Sequence, residues 1–236
     1  MFATILSLLS LLFIATPTTE RASVDHSAWD VLLQKHVSTS GVVDYAAFKK
    51  DQAKLDAYLS SLAKQVPNSN WSRGEQMAYW INIYNAYTVK LIVKNYPTAS
   101  ITKLEGGKPW DKKWIKVGTK TYSLNQVENE ILRPQFKDAR IHFAVNCAAK
   151  SCPPLLNQAW TASNLEAKLE KQAKAFINNT KYNKLSKSAI QVSKIFEWYA
   201  EDFGKLPSYL NNYANQEISY NTKVSYLTYD WALNGK

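Results

Sequence analysis

The residues best equipped for chemistry crowd into one stretch, residues 141–155, IHFAVNCAAKSCPPL. It holds both cysteines of the chain and one of its three histidines. A cysteine thiolate is a strong nucleophile, and its pKa falls at the mouth of a strand that leads into a helix N-terminus. Cys147 has such a position if residues 141–146 are a strand and Ala148 to Ser151 a turn or short helix. A nucleophile there needs a base and an oxyanion hole. His142 is the nearest base in sequence, and Asn146, Asn82 and Asn85 could supply amide donors. That set suits a cysteine-dependent hydrolase or acyl transferase acting on peptides or amides.

Spacing argues against a direct Cys147–His142 pair. Ile141, Phe143 and Val145 alternate with His142, Ala144 and Asn146, the period of a buried strand. Five extended steps cover roughly 16 Å at about 3.3 Å each. The two residues also differ in parity, so they face opposite sides unless the chain folds back after Asn146. On that geometry His142 belongs to the core or stands behind the cysteine.

A structural alternative uses the same cysteines. An exported chain with two cysteines usually pairs them, and the AAKS spacer permits a tight Cys147–Cys152 disulfide. So small a loop contributes at most about 2 kcal/mol in the loop-entropy model. A zinc site lacks a ligand, so no metal or other cofactor is expected. Glu197, Glu201 and Asp202 could form a paired-carboxylate site, although such residues more often make a solvated or lysine-paired helix face.

The elements that must position these residues follow from local signals. Ser72 and Glu75 form a capping box ahead of MAYWINIYNAYTVKLIV, residues 77–93, apolar on nearly every side. This predicts a central buried helix, with Asn82 and Asn85 on one face. Further helices are expected at residues 27–35, capped by Ser27, and at 48–62. Others are expected at 127–132 after a Ser123–Gln126 box, at 163–178 after a Ser163–Glu166 box, and, as a short helix, after Pro207, while residues 196–203 are dense in aromatics and carboxylates. Residues 114–117 and 120–124 read as a hairpin around Gly118-Thr119. Ile190 and Val192 suggest a strand, and residues 224–233 a closing one. Helices and short strands mix without regular βαβ alternation, which argues for an α+β class.

The chain has 236 residues, a net charge of +10, 46% apolar residues and 13% aromatic residues. That length suits one domain with a full core. The basic residues are dispersed, and none has the spacing of a nucleic-acid module. An anionic envelope glycan or peptide is the expected partner, with no nucleic acid. Residues 2–15 are apolar, too short to span a bilayer comfortably, and followed by Pro17. They read as a signal peptide covering residues 1–22, which predicts a periplasmic or secreted protein with no transmembrane segment after cleavage.

Four motifs together point to a family: YWINIYNA at residues 79–86, the cysteine stretch, WYAEDF at 198–203 and YLTYDWALN at 226–234. With these, nearly the whole chain after the leader resembles the domain-of-unknown-function family numbered 547. The resemblance implies a domain of secreted or envelope bacterial proteins and of larger eukaryotic chains, without an established activity. The family's cysteine motif is similar to F-A-L-x-C-G/A-S, which puts Cys147 on the family cysteine. Some eukaryotic members have Ser where Cys152 stands, so a disulfide is not the family's reason for Cys147. Members often read I-E-H before I-L-R. Here Glu128 stands on the glutamate and joins the binding candidates Asn82, Asn85 and Asn146, while Asn129 replaces the histidine.

The expectation is one α+β domain over residues 23–236, a central buried helix packed on a small mixed sheet. Two function classes follow: a cysteine enzyme using Cys147 and His142, or a non-catalytic envelope or partner-binding domain with a structural disulfide.

Overall fold

The structure is a computed structural model describing residues 24–235; the signal peptide expected at residues 1–22 lies outside them. The chain forms an α+β domain around one long helix. Four helices open it: α1 (Ser27–His36), α2 (Tyr45–Lys50), α3 (Gln52–Ala63) and α4 (Arg73–Lys94). From Met77 to Val93 every residue of α4 except Lys90 is buried. The expected capping box starts it: Ser72 Oγ accepts the Glu75 N–H at 3.2 Å, and Glu75 Oε2 accepts the Ser72 N–H at 2.8 Å. Two otherwise unpaired donors at the helix start are thereby satisfied.

The helix α3 lays Leu55, Tyr58, Leu59 and Leu62 inward, and Leu62 O accepts the Tyr79 hydroxyl of α4 at 2.8 Å. Trp29 of α1 stacks on Tyr58 at 5.8 Å. Ser27 does not cap α1; His26 holds that position without a side-chain bond, and Asp25 accepts the Ser27 N–H at 2.8 Å. The hairpin pairs β1 (Ile115–Val117) with β2 (Lys120–Tyr122) antiparallel. Gly118 turns it with φ +58°, which glycine adopts without a Cβ clash.

A continuous helical segment follows: α5 (Leu124–Gln126) behind the expected Ser123–Gln126 box, a wide π-helical turn (Val127–Leu132), and α6 (Arg133–Phe136). Such wide turns are rare and concentrate at functional sites. Beyond them lie α7 (Leu165–Ile177), β3 (Ala189–Val192), α8 (Ile195–Trp198), α9 (Ala200–Phe203), α10 (Leu206–Asn211) and β4 (Lys223–Tyr226). The strands β3 and β4 pair in parallel, the short helices forming their crossover. The β structure is therefore two separate two-stranded ladders. The Ser163–Glu166 box does not form: Ser163 bonds Thr161, and Glu166 is taken by Arg140 at 2.5 Å.

Residues 141–146 are not a strand. Ala139–Phe143 is a 3-10 helix and the chain then turns irregularly. Asp138 starts the helix by accepting the Arg140 N–H at 3.0 Å, and it also holds the Arg140 guanidinium at 2.8 Å. The alternation that suggested a strand has another origin. Ile141 packs into the core around α4, while Phe143 packs into a second core with Phe176, Phe196 and Phe203. A segment wedged between two cores alternates apolar residues as a buried strand does.

Candidate functional site

A cleft of about 160 Å³ opens where these two cores meet. Its lining includes Cys147, Cys152, Tyr229, His142, Glu128 and Tyr199, with Trp110, Trp198 and Trp231 along its aromatic side. The 3-10 helix is compact, so His142 and Cys147 face one cleft, contrary to the strand parity.

The backbone at Cys147 is held from two sides. Asn85 of α4 accepts the Asn146 N–H at 2.8 Å and donates to Ala144 O at 2.9 Å. Asn146 donates to Pro153 O at 2.7 Å and accepts the Ala148 N–H at 3.0 Å. Asn82 clasps Trp160, donating to its carbonyl at 2.7 Å and accepting its N–H at 3.1 Å. The chain end covers the loop: Asn234 N–H reaches Ala148 O at 3.0 Å and Lys150 N–H reaches Ala232 O at 2.8 Å. Within this frame Ala148 takes a left-handed φ of 61°. Non-glycine residues adopt that conformation at a cost, and it recurs at functional sites. The three asparagines are buried and bonded to backbone, Asn85 and Asn146 buttressing the loop from behind and Asn82 holding Trp160, and none of them lines the cleft.

Both cysteines are free, so the structural disulfide of the second function class is not present. Cys152 Sγ instead accepts the Cys147 N–H at 2.9 Å. Cys147 Sγ lies 3.2 Å from the Tyr229 hydroxyl. Burial pushes the Cys147 thiol up, but hydrogen bonds from the Cys152 thiol, the Tyr229 hydroxyl and the Ala149 N–H outweigh it, and the net shift is downward. Cys152 moves the other way: burial, then its contact with Cys147, hold it well above the usual thiol range. Burial, then the charge of Cys147, also keeps the Tyr229 phenol protonated. Of the two sulfurs, Cys147 is the one built to ionise.

Opposite lies a charged group that the sequence reading did not assemble. His142 Nε2 meets Asp202 Oδ2 at 2.6 Å. Arg133 grips the same carboxylate through Nε at 2.6 Å and Nη2 at 3.0 Å. The hydrogen bond to His142 is the largest influence holding Asp202 well below the usual carboxylate range, with Arg133 adding to it against partial burial. Tyr199 stacks on the His142 ring at 3.9 Å, and the Arg133 guanidinium lies over the Tyr199 ring, 5.2 Å from its centroid. His142 Nδ1 is buried without a hydrogen-bond partner, and the nearest carboxylate oxygen is Glu128 Oε1 at 3.8 Å. Glu128 projects from the wide π-helical turn and lines the cleft with Tyr199. Asn129 Oδ1 accepts Arg133 Nη1 at 3.0 Å.

Other candidates fall elsewhere. His26 bonds Tyr58 at 2.8 Å and His36 bonds Asp51 at 2.8 Å, both outside the cleft. Glu197 pairs with Lys194, and Asp202 serves His142, so the three carboxylates form no paired site. Asp230 bonds the Ala232 N–H at 2.9 Å in a turn. Among the described residues no three His, Cys, Asp or Glu side chains are grouped to hold a metal ion, and no helix is long and apolar enough to cross a membrane. Sequence reasoning missed Arg133 and Tyr229. The one available signal was that both fall in or beside family motifs.

An α+β domain with a cysteine facing an oriented histidine across an aromatic cleft is the class that fold and site define. Residues 68–177 match the family described as protein of unknown function, DUF547. The match is shorter than the near full length expected: it takes in α4, Glu128, His142 and Cys147 but stops before Trp198, Asp202 and Tyr229. No curated protein and no solved structure matches the chain.

Proposed function

We propose that the domain is a cysteine-dependent hydrolase or acyl transferase that cleaves a peptide or amide bond. The observation that carries this reading is the pairing, in one cleft, of a thiol favoured as thiolate with a histidine whose far nitrogen is fixed by a carboxylate. Nucleophile, base and orienting group are the three parts such chemistry needs. Cys147 Sγ attacks the carbonyl carbon, and the C–N π-stabilised amide becomes tetrahedral. Tyr229 is a hydroxyl donor beside the sulfur for the developing oxyanion. The proton lost by the Cys147 thiol is taken up by His142 Nδ1 and passed to the leaving amine as the C–N bond breaks, while the Nε2–H stays hydrogen-bonded to Asp202 Oδ2. Water then releases the acyl group from Cys147, or an acceptor amine takes it.

The test is an activated ester of a small amide-like acyl group, followed by intact-mass analysis. An adduct on Cys147 that disappears in Cys147→Ser and is slowed at least about 100-fold in His142→Ala supports the reading, since general acid–base groups contribute typically 10²–10⁴-fold. Equal acylation in wild type and Cys147→Ser contradicts it.

A second reading, a non-catalytic binding domain, draws on the aromatic side of the cleft. Trp198 is 46% exposed, stacks on Trp231 at 5.7 Å and packs on Tyr229 at 4.8 Å. Exposed, pre-packed aromatic faces are common anchors for partners. Ligand retention by Cys147→Ser with no acylation of the wild type favours this reading. An envelope location rests on the apolar leader alone, and N-terminal sequencing of the mature protein tests it.

A further inference from the structure

The acyl-transfer reading uses one thiol, and the cleft holds two. Cys152 is buried, and its Sγ accepts the Cys147 N–H at 2.9 Å, which sets the two cysteine groups side by side. The four residues between them are folded back tightly. Ala148 takes the left-handed conformation and the Cys152 N–H closes onto Ala149 O at 3.1 Å. The chain end clamps this loop, with Ser151 N–H on Asp230 O at 3.2 Å and Asp230 N–H on Ser151 Oγ at 2.8 Å. A sulfur bond of about 2.05 Å can therefore close between neighbouring groups without opening the domain. The two thiols are also unlike. Cys147 is favoured as thiolate while burial keeps Cys152 protonated, the division of labour between an attacking and a resolving cysteine.

We propose that Cys147 and Cys152 are a reversible oxidation site, in which a hydroperoxide oxidises Cys147, Cys152 closes the disulfide, and the nucleophile is switched off. The inference rests on Cys147 being the reactive thiolate described above. In the first step Cys147 S⁻ attacks the terminal peroxide oxygen. The S–O bond forms, the O–O bond breaks, and the departing alkoxide or hydroxide takes a proton from water. Cys147 has lost two electrons and is a sulfenic acid. In the second step Cys152 sulfur attacks Cys147 sulfur, the S–S bond forms, and the S–O bond breaks. The hydroxyl leaves as water with the Cys152 proton. A dithiol reductant reverses the state by two thiol–disulfide exchanges.

The experiment uses the reduced full chain, stoichiometric hydrogen peroxide, intact-mass analysis and iodoacetamide labelling. The wild type should lose two hydrogens, both cysteines should resist labelling even after denaturation without reductant, and dithiothreitol should restore rapid labelling of Cys147. Cys152→Ser should stop at the sulfenic acid, trapped by a cyclic 1,3-dione, and Cys147→Ser should take up no oxygen. The wild-type masses decide even where a variant folds poorly. Rapid labelling of reduced Cys147 without loss of two hydrogens under peroxide overturns the couple and leaves the nucleophile standing. Accumulation of two or three oxygens, with Cys152 still alkylated once the protein is denatured, does the same. Labelling of reduced Cys147 no faster than an unstructured cysteine peptide removes both readings.

Discussion

The two sides of the cleft are held by different means. On the α4 side a long capped helix buries sixteen residues against α2, α3 and the wide π-helical turn. On the other side the helices α8, α9 and α10 run four to six residues each. There the site is fixed by Asn146, by Arg133 on Asp202, and by the chain end laid across the cysteine loop. Apolar area drives the first arrangement, and it is tolerant of detail. The second depends on individual polar contacts whose loss leaves buried groups unpaired. Chemistry sits on the side where backbone is irregular and each contact is specific.

The largest effect expected is on the α4 side. Trp80 is buried at 5% exposure, so Trp80→Ala should destabilise by about 3–5 kcal/mol. A denaturant midpoint equal to wild type would place that side chain outside the core. Next come the two asparagines of α4. Asn82→Ala and Asn85→Ala each strand buried backbone groups and should cost about 2–3 kcal/mol. Only Asn85→Ala should also slow the labelling of Cys147, because Asn85 alone holds the Asn146 backbone. Equal labelling in the two variants would dissolve the distinction between frame and site.

A comparable effect should follow pH. Burial pushes His26 down from its ordinary 6.5 to about 4, against a weaker upward pull from Asp25. The folded state keeps it neutral, so below pH 6.5 the unfolded chain binds the proton first. Stability is then full above about pH 6.5 and falls as pH drops toward 4, by up to about 3 kcal/mol at 1.36 kcal/mol per unit. His26→Gln, which keeps a polar partner for Tyr58, should flatten that slope over the same range. A slope of unchanged steepness would move its origin to other groups. The smallest effect belongs to Trp198, exposed at the cleft rim: Trp198→Ala should change stability by no more than about 0.5 kcal/mol. A larger loss would mean that the exposed face is covered.

Periodicity made the α4 side legible. Ser72, Glu75 and the apolar run were enough to place the helix, and Gly118 the hairpin, because local signals and burial agree there. The cysteine stretch misled because its alternation arises from two cores, not from a ladder. Cys147 was identifiable by type and motif. The rest of the site was not, since Tyr229 reaches Cys147 over 82 positions of chain and Asp202 reaches His142 over 60. No local pattern encodes a long-range hydrogen bond such as Arg133 to Asp202.

The central claim is that this irregular frame makes Cys147, and not Cys152, a reactive thiolate. The most direct measurement is the rate of iodoacetamide labelling of the reduced protein against pH, with each site resolved by peptide mass. Since the Cys147 pKa is lowered, its thiolate fraction rises early, and labelling should climb through a midpoint below the ordinary thiol value of about 8.5. Cys152 should stay unlabelled until the protein is denatured. A Cys147 midpoint at or above that of an unstructured cysteine peptide, or equal labelling of both cysteines in the folded protein, would contradict the account.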